Sequence, residues 1–209
     1  MRAIRCLLLL AAAPLATAGA QVGQGLIDPN VATDAQLASV PELTADLISA
    51  IKAARPIAGI LDFDRLLGQT LSETERKAVY GKMFVHLNLN TATAAEINLI
   101  PGMTRRMVHE FEEYRPYKAL AQFHREIGKY VDDAELARLE RYVFVPLDLN
   151  TATAEAIMTI PGMTRRMLHE FEEYRPYRAI AQFRREIGKY VDEREVARLE
   201  RFVEIRGAP

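Results

Sequence analysis

The chain has 209 residues, 49% of them apolar and 26% charged, with 27 Lys and Arg against 28 Asp and Glu. That composition excludes a disordered polyelectrolyte, and the even charge removes the basic excess usual in proteins that hold nucleic acid mainly by its phosphates. One cysteine, Cys6, excludes a disulfide framework and a thiolate metal site.

At the N-terminus Arg2 and Arg5 precede the apolar run Cys6 to Ala13, and small residues follow up to Ala20. A positive start, a short apolar stretch and Ala-x-Ala sites read as a cleavable signal peptide over residues 1–20. The product is then periplasmic or secreted. Pro14 interrupts the apolar run well short of the roughly 20 residues that a spanning helix needs, so a membrane anchor is the minority alternative. Cys6 falls inside the signal, which leaves the exported chain without cysteine.

Beyond the signal the sequence repeats. The string from Asn90 to Tyr117, NTATAAEINLIPGMTRRMVHEFEEYRPY, returns from Asn150 as NTATAEAIMTIPGMTRRMLHEFEEYRPY, an offset of 60 residues. The same offset upstream meets a degenerate copy that keeps Thr33, Pro41, Thr44, Arg55, Pro56, Phe63, Gly68 and Glu75. A period of this size matches a small domain rather than a short solenoid unit. Three tandem modules follow, over residues 28–86, 88–146 and 148–205.

Each copy reads as four short helices in an all-α fold. Thr33-x-x-Gln36 and Thr93-x-x-Glu96 are capping boxes, whereas Thr153 faces Ala156 and lacks the reciprocal partner. A second helix spans Thr104 to Tyr114, with Met107, Val108, Phe111 and Tyr114 on one face. It stops at Arg115-Pro116, since proline turns the residue before it away from helical geometry. The third helix carries Phe123 and Ile127, and the fourth carries Leu136, Leu139 and Val143 after the start signals Ser72-x-x-Glu75, Asp132-x-x-Glu135 and Asp192-x-x-Glu195. Phe144 to Asn150, alternating and proline-bearing, reads as an extended linker.

Between the first two helices lies Ile100-Pro101-Gly102-Met103-Thr104-Arg105-Arg106, repeated as Ile160 to Arg166. Together with the Asn-x-Asn-Thr-Ala-Thr-Ala opening and the Arg-Pro-Tyr turn, this resembles the ComEA-type tandem helix-hairpin-helix domain of DNA-uptake proteins. The resemblance covers nearly all of the chain after the signal. It implies hairpins of the form Pro-Gly-apolar-Gly, whose backbone amides at a helix start hold a DNA phosphate without reading bases. Anion binding at a helix N-terminus, with glycine allowing close approach, is the underlying physics. Carried over, Gly102 and Gly162 match the first hairpin glycine, Met103 and Met163 the apolar residue, and Thr104 and Thr164 replace the second glycine. Arg105, Arg106, Arg165 and Arg166 oppose the helix dipole unless they meet an anion.

Several positions depart from the family pattern. Where a second glycine hairpin is expected, the copies carry Tyr130-Val131-Asp132 and Tyr190-Val191-Asp192, and the first copy has Pro41-Glu42-Leu43 in place of Pro-Gly-Met. At most two of six hairpins keep the phosphate-binding form, and Glu110, Glu112 and Glu113 dilute a basic face. His109 with Glu113, like His169 with Glu173, stands four apart on a helix, but the second histidine of a zinc protease is missing, so no metal site is expected. Arg138, Glu140 and Arg141 read as a solvated helix face. No catalytic constellation, cofactor or small-molecule substrate is indicated. The resemblance implies double-stranded DNA as partner. The alternative is a scaffold for a periplasmic or envelope protein, like the helix-hairpin-helix subunit of photosystem II that docks to protein, with Tyr117, Tyr130 and Tyr142 offered for contact.

Overall fold

The structure is a computed structural model that describes residues 21–207, so the signal reading of residues 1–20 lies outside the described residues. The described chain is mainly helical. Four helices come first, α1 (Asp34–Ala38), α2 (Ala45–Ala53), α3 (Ile60–Leu67) and α4 (Glu73–Tyr80), followed by the strand β1 (Leu87–Asn88). The helix order recurs as α5 (Ala94–Ile97), α6 (Arg105–Glu113), α7 (Leu120–Ile127) and α8 (Asp133–Glu140). After strands β2 (Val143–Phe144) and β3 (Leu147–Asp148) it recurs again as α9 (Ala154–Ile157), α10 (Arg165–Glu173), α11 (Ile180–Ile187) and α12 (Glu193–Glu200), ending in β4 (Val203–Glu204).

Capping explains where these short helices begin. Thr33, Ser72 and Thr93 form complete capping boxes with Gln36, Glu75 and Glu96, while Thr153 accepts from the Ala156 amide with no reciprocal bond. The carboxylates of Asp132 and Asp192 cap α8 and α12 by accepting from the amides of Glu135 and Glu195. Each such cap stabilises its helix by about 1 kcal/mol.

Helices alone do not close the units. β1 pairs with β2 in parallel, β3 pairs with β4 in parallel, and a parallel bridge joins Ile27 to Met83 at the corresponding place in the first unit. The residues before the first helix of each unit are thereby stitched to those after its last. The mainly helical expectation holds, with these short strand pairs added to it. Phe144 to Asn150 is no plain linker but part of two strand pairs, and Val143 belongs to a strand rather than to the fourth helix. An antiparallel bridge joins Val22 to Phe144 of β2: Gly23 donates to the Val143 carbonyl and Val145 to the Gln21 carbonyl, each at 2.9 Å.

The core does not divide into three. One cluster runs through the first two units, with Phe84 edge-on to Tyr142 at 4.9 Å between ring centres. A second cluster fills the third unit and includes Val22 and Phe144, whose ring lies 4.7 Å from that of Phe202. Phe144, borne by the strand that closes the second unit, thus completes the core of the third. Burial of the apolar side chains is the main stabilising term, so the units stand or fall with their neighbours.

Inside each unit one recurring clamp fixes the chain path. Asn90 exchanges two hydrogen bonds with the backbone of Tyr117 (2.9 and 2.6 Å), and Asn150 does the same with Tyr177. The Arg115 guanidinium donates to the carbonyls of Leu89 and Ala92, Arg175 to those of Leu149 and Ala152, and Arg55 to those of Pro29 and Ala32. The Asn-x-Asn and Arg-Pro strings of the repeat are therefore structural.

Candidate functional site

The turns that open α6 and α10 are built identically at short range. The Met103 amide donates to the Ile100 carbonyl at 3.1 Å and that of Met163 to Ile160 at 3.0 Å. Gly102 and Gly162 sit at φ +77° and +75°, the left-handed region where a Cβ is strained. The hydroxyl of Thr104 accepts from the Met107 amide at 3.3 Å, and that of Thr164 from Met167 at 3.2 Å. Met103 and Met163 pack against the cores, which pulls each turn onto the body while Gly102, Thr104, Arg105 and Arg106, and likewise Gly162, Thr164, Arg165 and Arg166, remain exposed. The sequence-predicted residues thus come together as two separate groups of five, one per turn.

The charge around these turns is distinctive. The first amides of a helix have no acceptor within it and carry the positive end of its dipole. Most helices here place an acidic side chain in the first turn; α6, α7, α10 and α11 place none, and of these α6 and α10 begin with Arg-Arg. Among the described residues Arg105 and Arg165 make no ion pair. The Arg106 guanidinium lies 5.1 Å from the centre of the Tyr130 ring, with Nε 3.8 Å from Glu110 Oε1. Arg166 lies 6.0 Å from the Tyr190 ring.

Beneath each turn is an arginine of the fourth helix, and the sequence reading places Arg138 on a solvated face. Arg138 Nη1 donates to the Pro101 carbonyl at 2.7 Å and grips both oxygens of Glu135, and Arg198 does the same for Pro161 and Glu195. These residues brace the hairpins from the fourth helix, a correction to the solvated reading. Arg141 is likewise engaged, donating to the Gly25 carbonyl at 2.7 Å, and Glu140 holds His124. In the first unit Ala78 stands at the bracing position, and Glu42 replaces the glycine. No non-glycine residue has positive φ among the described residues, so that turn takes another path, with Glu42 paired to Lys82. The exact 60-residue recurrence of Arg138 and Arg198, beside Ala78 in the degenerate copy, was the signal that could have revealed the brace.

Other expectations need adjusting. Tyr117 and Tyr142 are fully buried and offer no contact surface, and Tyr130 is half-buried with its hydroxyl 2.7 Å from that of Tyr114. That hydrogen bond, seconded by Glu110, pushes the Tyr130 hydroxyl well above the ordinary phenol range. Glu110 and Glu170 are buried, so of the acidic run only Glu112 and Glu113 face solvent to any extent. At the second hairpin position, Asp132 and Asp192 already fill the amides of Glu135 and Glu195 at 2.8 and 2.9 Å. His109 Nε2 lies 3.3 Å from Glu113 Oε2 on an exposed helix face, and no cluster of three ligand-type side chains occurs among the described residues. No described helix is long and apolar enough to cross a membrane.

No family model matches the chain, and no solved structure matches it. It is similar to a protein of Xenopus laevis described as endonuclease/exonuclease/phosphatase family domain-containing protein 1, at 29% identity over 43% of this chain and 21% of that protein. The chain therefore spans about a fifth of the length of that relative.

Proposed function

We propose that the chain is an exported, non-catalytic array of three ComEA-type helix-hairpin-helix modules, over 28–86, 88–146 and 148–205, that holds the backbone of double-stranded DNA without reading its sequence, as in DNA uptake. The observation that carries this reading is the turn at Gly102–Arg106. Left-handed glycine, the helix-start amides that the Thr104 cap does not take, an acid-free first turn and two exposed arginines converge on one solvent-facing spot. Such a spot suits an anion of phosphate charge. The groups gathered there are donors and cations, fit to hold a phosphodiester rather than to hydrolyse it. Because the contacts are to backbone, affinity is expected to fall steeply with salt and to be indifferent to sequence.

Fluorescence anisotropy of the protein purified after export, with labelled random duplexes across a salt series, tests this. Binding that weakens with salt is expected, with a shallower salt slope in the variant R105A/R106A. Absence of binding at low salt by a folded protein would sink the reading. Scaffolding of a periplasmic or envelope protein is the second reading, and the acidic caps at Asp132 and Asp192 favour it, since a carboxylate at the helix start repels a phosphate.

A further inference from the structure

Two buried polar side chains meet where the first unit opens and closes. Asp28 follows Ile27, whose bridge to Met83 closes that unit, and His86 lies just beyond Met83. Each side chain is 2% exposed, with Asp28 Oδ2 and His86 Nδ1 3.8 Å apart, and neither atom has a hydrogen-bond partner. Their other polar atoms are committed. Asp28 Oδ1 accepts from the Asn30 amide at 2.8 Å, and His86 Nε2 lies 3.0 Å from the Gly23 carbonyl. A carbonyl only accepts, so Nε2 carries a proton, and a neutral imidazole then turns its Nδ1 lone pair toward the carboxylate. Two acceptors facing each other out of water call for a positive group between them.

The matching positions of the other units show what such a slot holds. In the third unit it is Asp148 with Arg206, whose amide donates to Asp148 Oδ1 at 3.3 Å and whose side chain brings a fixed positive charge. In the second unit it is Asn88 with Pro146, both uncharged. The first unit keeps the acid and puts histidine in place of arginine. Arg201 approaches from the third unit but donates to the His86 carbonyl, at 3.2 Å, rather than to either orphaned atom. Distance then separates a shared proton from a metal ion. A charge-assisted hydrogen bond would bring the two atoms to about 2.7–2.9 Å. An ion about 2.0–2.2 Å from each ligand atom spans separations up to about 4.2 Å, and 3.8 Å falls within that reach. A backbone carbonyl that holds the remote N–H is also how a ligating histidine is oriented. Both residues line a cavity of about 370 Å³, which leaves room for water as further ligands.

We propose that Asp28 Oδ2 and His86 Nδ1 hold a divalent first-row transition cation such as zinc, which suits one imidazole and one carboxylate, with water in the remaining positions. The ion ties the opening of the first unit to its close, beside the Ile27–Met83 bridge. Because it binds the folded chain, it stabilises that unit. The site is independent of the phosphate-holding role of the hairpins.

The nitrogen resonances of the 4 histidines, followed at constant pH while Zn²⁺ is added to chelator-treated protein, test this. His86 Nδ1 should shift first, saturating at a single equivalent. His109 and His169, whose exposed pairs with Glu113 and Glu173 are the competing ligands, should respond only at higher metal. Calorimetry should show the first equivalent lost in His86→Gln and in Asp28→Asn, the latter installing the second unit's residue, and kept in H109Q/H169Q. Zn²⁺ should raise the thermal midpoint of the native protein and of H109Q/H169Q but not of Asp28→Asn. Zinc that leaves the His86 resonances unmoved, the result for a pair that takes up only a proton, overturns the site. Undiminished binding of the first equivalent by folded Asp28→Asn overturns it as well. Should a variant fail to fold, the His86 resonance of the native protein decides by itself.

Discussion

The hairpins at Gly102 and Gly162 share the sequence Ile-Pro-Gly-Met-Thr-Arg-Arg, the same left-handed glycine and the same threonine cap, yet they occupy different surroundings. The Arg138 side chain behind the first is 29% exposed, and that of Arg198 behind the second is 2% exposed. Nothing within the repeated segment accounts for this. The difference comes from the first unit, which reaches the third through Val31, Asn30 and Arg55. Identical local sequence fixes identical local geometry, and the path of the whole chain then decides what packs behind each copy.

The bracing arginines offer the largest separation between the two hairpins. Arg198→Ala should destabilise the fold by about 3 kcal/mol, because it strips a buried donor set from Glu195 and the Pro161 carbonyl. Arg138→Ala, whose pair with Glu135 is partly solvated, should cost about 1 kcal/mol. Urea denaturation of the two variants measures both, and equal midpoints would break the comparison. The glycines separate the sites by less. Gly102→Ala should cost about 1 kcal/mol from its positive φ alone, and Gly162→Ala about 2 kcal/mol because the new methyl also meets Val31. Adding Val31→Ala should remove that excess, and a double-mutant cycle with no coupling would place Val31 elsewhere.

What was legible in the sequence was everything the repeat states about itself. The caps at Thr93, Thr104 and Asp132 and the helix stop before Pro116 follow from local chemistry, and the structure has them. The hairpin residues were legible as a group for the same reason, since all five lie within one turn. The brace by Arg138 was not, because a charged residue on an exposed-looking helix face has the same spacing whether it meets water or a carbonyl 37 residues away. The strand pairs were hidden by their length. Two residues such as Val143–Phe144 carry no alternation to read, and the partner lies a whole unit upstream in Leu87–Asn88. The approach of Val31 to Gly162 and the bond from Arg201 to the His86 carbonyl join the first and third units, which no internal comparison of copies contains.

A smaller difference between the second and third units should appear with pH. His124 Nε2 sits 2.8 Å from Glu140 Oε2, and the matching position in the third unit is Arg184, which grips Glu200 with two hydrogen bonds. The bond to Glu140 outweighs partial burial and, with the carboxylate's charge, holds the His124 imidazole above its ordinary range. A histidine raised in the folded state binds its proton more tightly there than in the unfolded chain, where it titrates near about 6.5. The pair therefore contributes fully below that value, and the contribution is lost as pH rises through the folded-state value. With both side chains about one quarter exposed, the effect should stay within about 1 kcal/mol. Stability measured from pH 5.5 to 8.5 should fall by that amount in the native chain, and His124→Arg should abolish this part of the slope by giving the second unit the pairing of the third. A slope unchanged in His124→Arg would mean that the titrating group lies elsewhere and that the two pairs are equivalent after all.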